Sequence, residues 1–456
     1  MAENKTMVKN LTEGSIVKQL LTYAAPLFLA NLLQAVYNVV DMIVVGQVEG
    51  GVGMAAVSIG GEILHLMTFI LIGFTSAGQV IISQYVGAKK HDSIVKMIAT
   101  MFVITFTAAA VIFVFCMLVG DAPLHWLNTD EVAFSETHNY YMTCVFGIFF
   151  IAGYNVVCGI LRGMGDSKRP FIFIVIASVL NIVLDVTFVK YMHMGAFGAA
   201  LATVIGQAVS FITAFIYLYH KRDEFGFDFK FSSFRIYPEV AKPLIKLGIP
   251  MSIQSAAVTL SKTVLAAWIN DSGYAYSALA GIYNKTGMFA GIVSMSFIAA
   301  GSANIGQCLG ARKYERVPKI LGIVSAIMIC VCGVLSLIVI MSPTTVFSMF
   351  TTDDAVLSIS DVLIFPIVIN FIGTAARTFG FSLINGSGNS KLNLIIALLD
   401  GIVFRIGLSY LLGFTFGMSV KGFWLGDGFA GWVPMFVAFG FLASGKWKTD
   451  RLVHNK

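Results

Sequence analysis

The apolar residues of this chain gather in long blocks separated by short polar or glycine-bearing breaks. Blocks long enough to cross a ~30 Å hydrocarbon core run over 15–46, 53–82, 94–119, 133–161, 170–190, 195–219, 239–269, 275–306, 318–341, 355–384, 392–414 and 422–444. They predict twelve membrane-spanning helices, because an open sheet edge cannot satisfy its backbone groups in lipid. Polar residues inside the blocks are therefore the informative positions. In Asn31-Leu-Leu-Gln34-Ala-Val-Tyr37-Asn38-Val-Val-Asp41-Met-Ile-Val-Val-Gly46 a carboxylate stands in mid-span. A second, Asp185, follows Asn181 by four residues and so shares its helical face. An ionisable group is costly where it faces lipid and is kept where it lines a bundle interior or a wet cavity. Two such carboxylates with an amide escort point to a proton or cation site.

Composition fixes the class. With 57% hydrophobic residues, 12% charged residues and a mean hydropathy of +0.84, the chain is a polytopic membrane protein and not a water-soluble domain. The net charge of +6 reads as topology. With both termini placed in the cytoplasm, loops after even-numbered spans carry Lys89, Lys90, Arg162, Lys168, Arg169, Lys221, Arg222, Arg312, Lys313, Arg316 and Lys391, whereas the opposite side holds only Lys190 and Lys421. No soluble basic face is present for nucleic acid. The start of the chain is polar and lacks an Ala-x-Ala cleavage site, so residues 1–14 read as a cytoplasmic tail, as do 445–456. The six cysteines fall mostly in apolar helices without metal-ligand spacing and read as packing residues. No phosphate-binding Gly-x-x-x-x-Gly-Lys-Ser/Thr loop, His-Glu-x-x-His or Gly-x-Ser-x-Gly occurs, so any work is expected to be driven by an ion gradient and no enzyme or bound cofactor is expected.

The sequence also repeats itself. Shifted by 223 residues, the stretch from Phe74 through Gln84 and Gly87 to Lys89 falls on Phe297 through Gln307 and Gly310 to Arg312; Asp130-Glu131 falls on Asp353-Asp354; and Gly163-Met-Gly165-Asp-Ser167-Lys168 falls on Gly386-Ser-Gly388-Asn-Ser390-Lys391. Pro26 and Pro250 match with one further residue of shift. Six spans per half is an even number, so the halves are parallel repeats about an axis along the membrane normal. The expected lobes are 15–220 and 239–444, joined by a polar cytoplasmic linker at 221–238. Two lobes that can rock against each other suit alternating access better than a pore.

Together these features resemble the multidrug and toxic compound extrusion (MATE) family: twelve spans in two lobes, Val40-Asp41-Met-Ile-Val-Val-Gly46 in span one, the Gln84-to-Lys89 and Gln307-to-Arg312 repeats, and Leu161-Arg-Gly-Met-Gly-Asp-Ser167. Asp41 with the Asn181/Asp185 pair looks like the DNA-damage-inducible-type branch. That resemblance implies a coupling-cation site formed by Asp41, Asn181, Asp185 and Thr203 with the backbone carbonyl near Ala199. These hard oxygen donors suit Na⁺, while a proton needs only a carboxylate. The alternative is that Asp41 and Asp185 merely bond neighbouring helices.

Gln34, Tyr37, Asn38, Asn155, Glu62, His65, Arg377 and Arg405 are further candidates for the cavity wall, with interhelical bonding an alternative for Asn155 and an Asp400 salt bridge for the arginines. The site used by another branch, in spans seven and ten, meets only Gln254, Asn370 and Arg377 here. Second-lobe counterparts of Asp41 and Asp185 fall near Leu265 and Leu408. Pro26 removes a helical hydrogen bond and so allows straight and bent forms of span one; the resemblance implies that cation binding at Asp41 biases between them, and the alternative is a static bend. The expected activity is export of small amphipathic or drug-like compounds in exchange for H⁺ or Na⁺ by a monomer in the cell membrane. Export or flipping of lipid-linked or other anionic amphipaths is the alternative.

Overall fold

A 72-residue helix, α1 (Ile16–Gly87), opens the computed structural model, which describes residues 8–127 and 129–448. The expected tails 1–14 and 445–456 lie partly outside the described residues, as does Asn128. Within α1, Gly50 takes φ 65°, ψ −144°, so the helix is two spans joined at a break. A positive φ of this kind is open to glycine at no steric cost. The following helices are α2 (His91–Val119), α3 (Glu131–Phe146), α4 (Ile148–Gly163), α5 (Lys168–Asp185) and α6 (Gly195–His220). Next come α7 (Pro238–Asn270), α8 (Tyr274–Gly310), α9 (Arg316–Met341), α10 (Ile364–Ser387), α11 (Ser390–Leu398), α12 (Ser419–Ala430) and α13 (Val433–Ala443).

Among the described residues, ten helical segments are long and apolar enough to cross a membrane. The α3–α4 pair, bent by 47°, makes an eleventh, and the break in α1 makes a twelfth. The protein is thus all-α, with twelve membrane spans in two six-helix lobes and no strand among the described residues.

The duplication is written into the backbone. Positive φ angles recur at Gly50 and Gly273, Lys89 and Arg312, and Gly165 and Gly388, each 223 residues apart. They recur again at His193 and Gly417 and at Gly195 and Ser419, 224 apart. Asp130 and Asp353, one repeat apart, both cap a helix, accepting from the N–H of Val132 at 3.1 Å and of Ala355 at 2.9 Å. Such caps satisfy donors that the first helical turn leaves unpaired. In both halves the fifth span leaves α-geometry: after α5 for a wider-pitched π segment, Val186–Tyr191, and after α11 for Leu399–Leu408 and Leu411–Thr415.

Packing divides the chain into one unit built mainly of Ala25–Ser252 and another built of Asn10–Ala24 with Ile253 onward. In the first unit α6 is the central helix and packs on α3, α4 and α5. In the second, α10 is central, against α8, α9, α12 and α13. The α10–α12 approach is set by glycine, since a Cβ on Gly373 would come within 2.4 Å of the Gly428 carbonyl oxygen. Small residues at a helix crossing let backbones meet where no hydrophobic drive between helices exists.

Two residues of the repeated stretches find partners within their own units. Gln307 accepts the Leu11 N–H at 2.8 Å, and Asp166 holds Lys9 at 3.3 Å and Arg169 at 2.9 Å.

Candidate functional site

In the first unit three helices bring the expected residues together. Asp41 comes from the first part of α1, Asn181 and Asp185 from the last turn of α5, and Ala199 and Thr203 from successive turns of α6. Asp41 is 3% exposed and Asp185 fully buried, and the two carboxyl groups lie within electrostatic reach of each other. Their surroundings leave polar atoms unanswered. Asp41 Oδ1, both Asp185 oxygens, the Asn181 amide oxygen and nitrogen, and Thr203 Oγ1 are buried without a hydrogen-bond partner. Native interiors seldom leave such groups unpaired, and here six of these atoms come from four residues on three helices.

Beside this set lies a cavity of about 10 Å³, about the room one water needs, lined among others by Tyr37, Ser178, Asn181, Thr203, Gly206 and Gln207. The donor set is oxygen-rich, as hard cations require, and contains only two carboxylates. No group of three or more His, Cys, Asp or Glu side chains is placed to hold a metal among the described residues. The π segment starting at Val186, directly after Asp185, widens the turn there, a device frequent at functional sites.

Two residues that the sequence did not single out wall this site. Tyr140 and Cys144, both on α3, lie within electrostatic reach of Asp41, and Tyr140 also of Asp185. They belong to a packed apolar cluster with Val45, Val57, Val189 and Ala199 that seals one side. As neutral residues in an apolar block they carry no sequence signal. Tyr37, one turn before Asp41, is buried and its hydroxyl accepts from Gln34 Nε2 at 3.3 Å, while Gln34 and Asn38 remain exposed.

The other expected wall residues scatter. Asn155 donates to the Ile151 carbonyl of its own helix at 2.8 Å, so the expected interhelical bond is not made. His65 and Glu62 are exposed and interact with each other, His65 also meeting Phe69 edge-on at 4.6 Å.

The second unit holds a different cluster. Arg405, expected on a cavity wall, is instead completely buried, with its guanidinium bound to both Asp427 and Asp400, the latter at 2.9 Å. Arg377, whose side chain is 21% exposed, reaches the same Asp400 oxygen at 3.1 Å. Asp427, which sequence reasoning missed, also accepts from the Tyr283 hydroxyl at 2.8 Å and from Asn370 Nδ2 at 3.2 Å. The expected Asp400 salt bridge is therefore present, with both arginines. At the 224-residue spacing that relates Gly195 to Ser419, Asn181 corresponds to Arg405 and Thr203 to Asp427, while Asp41 and Asp185 correspond to Leu265 and Ser409. Where the first unit presents unpaired oxygens, the second thus carries a tethered cation bound to its own carboxylates.

The comparisons agree with this duplicated architecture. The MatE family model matches the chain twice, over residues 26–187 and 250–411. A probable multidrug resistance protein of Bacillus subtilis, YoeA, is 24% identical over 448 residues, 96% of each chain. DNA damage-inducible protein F of Escherichia coli is 26% identical over 190 residues, 42% of this chain and 41% of that one. A MOP-superfamily transporter structure from Pyrococcus furiosus has the same fold, with a TM-score of 0.88 at 21% identity, covering 98% of this chain and 100% of that one. With both repeats matched over most of its length, the chain belongs to the MatE family of multidrug and toxic compound extrusion transporters.

Proposed function

We propose that the protein is a secondary active antiporter of the cell membrane, with both termini cytoplasmic, which exports small amphipathic or drug-like compounds in exchange for H⁺ or Na⁺ by alternating access of its two lobes. The observation that carries this reading is the set of unpartnered buried oxygens on Asp41, Asp185, Asn181 and Thr203. Burying polar atoms unpaired costs free energy, and a cation or proton bound there removes that cost. Ion binding can shift a conformational equilibrium only through different affinities in its two states. The three helices that supply the donors make the affinity sensitive to their spacing, and Pro26, earlier on the same span as Asp41, is the bend at which that spacing changes. A monomer suffices, since each chain carries a complete donor set. The membership in a transporter family and the multidrug relative support the drug-efflux part of the reading.

The test is efflux of a fluorescent cationic dye from everted vesicles with pH and Na⁺ gradients imposed separately. Wild-type efflux is expected under one of the two gradients and is expected to be lost in Asp41→Asn at equal membrane expression. Unchanged efflux in that variant overturns the assignment of Asp41.

A further inference from the structure

The charged cluster of the second unit contains one positive charge too many. Lys262, Arg377, Asp400, Arg405 and Asp427 form a single electrostatic group, and within it the two arginines and two aspartates neutralise one another through direct ion pairs. Lys262 is the remainder. It has no hydrogen bond or ion pair among the described residues, and it is exposed while lying within electrostatic reach of the other four charges. The position is deep: Lys262 lies eight residues before the end of α7 at Asn270, about 12 Å along the helix axis at 1.5 Å per residue. Snorkelling relieves lysines near helix ends, but this one stands within electrostatic reach of the charged cluster. Its neighbour Ser261 is bonded to the Gly401 carbonyl of the π segment, and a Cβ on Gly401 would meet Ala257 Cβ at 2.6 Å, so this part of α7 is seated against that segment. In the first half the repeat positions of Lys262 and Arg377 hold neutral Asn38 and Tyr154. The excess cation is thus a property of the second half alone.

An ammonium at this depth is costly without a counter-charge, and the two carboxylates of the group, Asp400 and Asp427, face three cations, so one positive charge is left over. We propose that Lys262, assisted by the part-exposed Arg377, binds an anionic group, carboxylate or phosphate, of the transported amphipath, so that the substrates include anions. This deepens the transport reading above and rests on it. Arg377 suits the second contact because its side chain is 21% exposed and its Nε is unpartnered. A fork of guanidinium donors and a point-like ammonium together recognise an oxyanion without competing for one geometry.

Equilibrium binding in nanodiscs tests the site apart from coupling, since no gradient is involved. The probes are dansylglycine, a carboxylate, and a dansyl amide ending in trimethylammonium, measured in phosphatidylcholine discs. Wild type is expected to bind the carboxylate, Lys262→Met to bind it at least tenfold more weakly, Lys262→Arg to retain it, and Lys262→Glu to reverse the preference toward the ammonium probe. Equal carboxylate binding by wild type and Lys262→Met, or wild-type binding of the ammonium probe alone, overturns the proposal. A second series with phosphatidylglycerol decides the source of the anion: if that lipid abolishes carboxylate binding in wild type, the occupant is a headgroup and the substrate assignment fails. Failure of the coupling reading shows elsewhere, as Asp41→Asn vesicles that still exchange ions for dye.

Discussion

At the scale of single residues the two halves solve the burial of charge in opposite ways. Asp41 and Asp185 are kept with unanswered oxygens, and replacing either by Asn removes a charge without removing volume. Both variants are expected to insert and fold normally while gradient-driven efflux falls to background, measured in vesicles at matched expression. Arg405 and Asp427 are directly paired within a network that also includes Asp400, Tyr283 and Asn370. Removing one partner of a buried pair strands the other and costs about 3–5 kcal/mol, whereas replacing both by apolar residues is often neutral. Arg405→Met is therefore expected to lower thermal stability in detergent far more than Arg405→Met combined with Asp427→Leu, and equal losses in the two would contradict the pairing. Asp41, Asn181 and Asp185 were legible in the sequence because each is polar inside an apolar block. Asp427 was not, because it stands between glycines in Trp424-Leu-Gly-Asp427-Gly near the start of the last expected span, where an acidic residue reads as an interfacial one. Only the fold, by bringing α12 against α10 and the π segment, turns it inward.

At the scale of elements, apolar block length revealed the twelve spans but not their breaks. A continuous hydrophobic run has no polar face to mark its phase, so the 47° bend between α3 and α4 at Gly147 and the π segments after Asp185 and Leu398 left no pattern to read. Glycine close contacts are equally silent in sequence, yet they set the distance between α10 and α12. Gly373→Leu is expected to destabilise by about 1–3 kcal/mol, the usual cost of overpacking, and to loosen Asp427 from Asn370 and Tyr283; a melting temperature equal to wild type would contradict so close a crossing. Pro26 lies two residues past the point where α1 passes from one packing unit to the other, and Pro250 lies close to the matching point on α7. Each proline removes a helical hydrogen bond just where the span changes its neighbours. Pro26→Ala is expected to lower transport turnover more than substrate affinity, with spin-label distances inside the first unit no longer responding to pH or Na⁺. Wild-type turnover with an unchanged distance response would leave Pro26 a static bend.

At the scale of the whole molecule, the two repeats share a backbone and differ in their buried polar residues. The repeats keep their helix starts, caps and left-handed backbone positions, because these residues fix the path of the chain, and that shared geometry made the two-lobe architecture readable from sequence. They differ where the chemistry is. On the proposed reading the first half retains a donor set for an external cation, whereas the second holds Arg405 at the position of Asn181, its guanidinium bound to Asp400 and Asp427. A fixed internal cation cannot be exchanged across a membrane, and Asp400 and Asp427 are already neutralised by it and by Arg377. Ion binding should accordingly follow the first half alone. In purified protein, Asp41→Asn combined with Asp185→Asn is expected to abolish saturable Na⁺ or proton binding, whereas Gln254→Ala and Arg405→Ala are expected to leave its stoichiometry unchanged even where they lower stability. Loss of ion binding in either second-half variant, with Asp41 and Asp185 intact and the protein folded by near-UV circular dichroism, would place a coupling site in the second lobe and end the division proposed here.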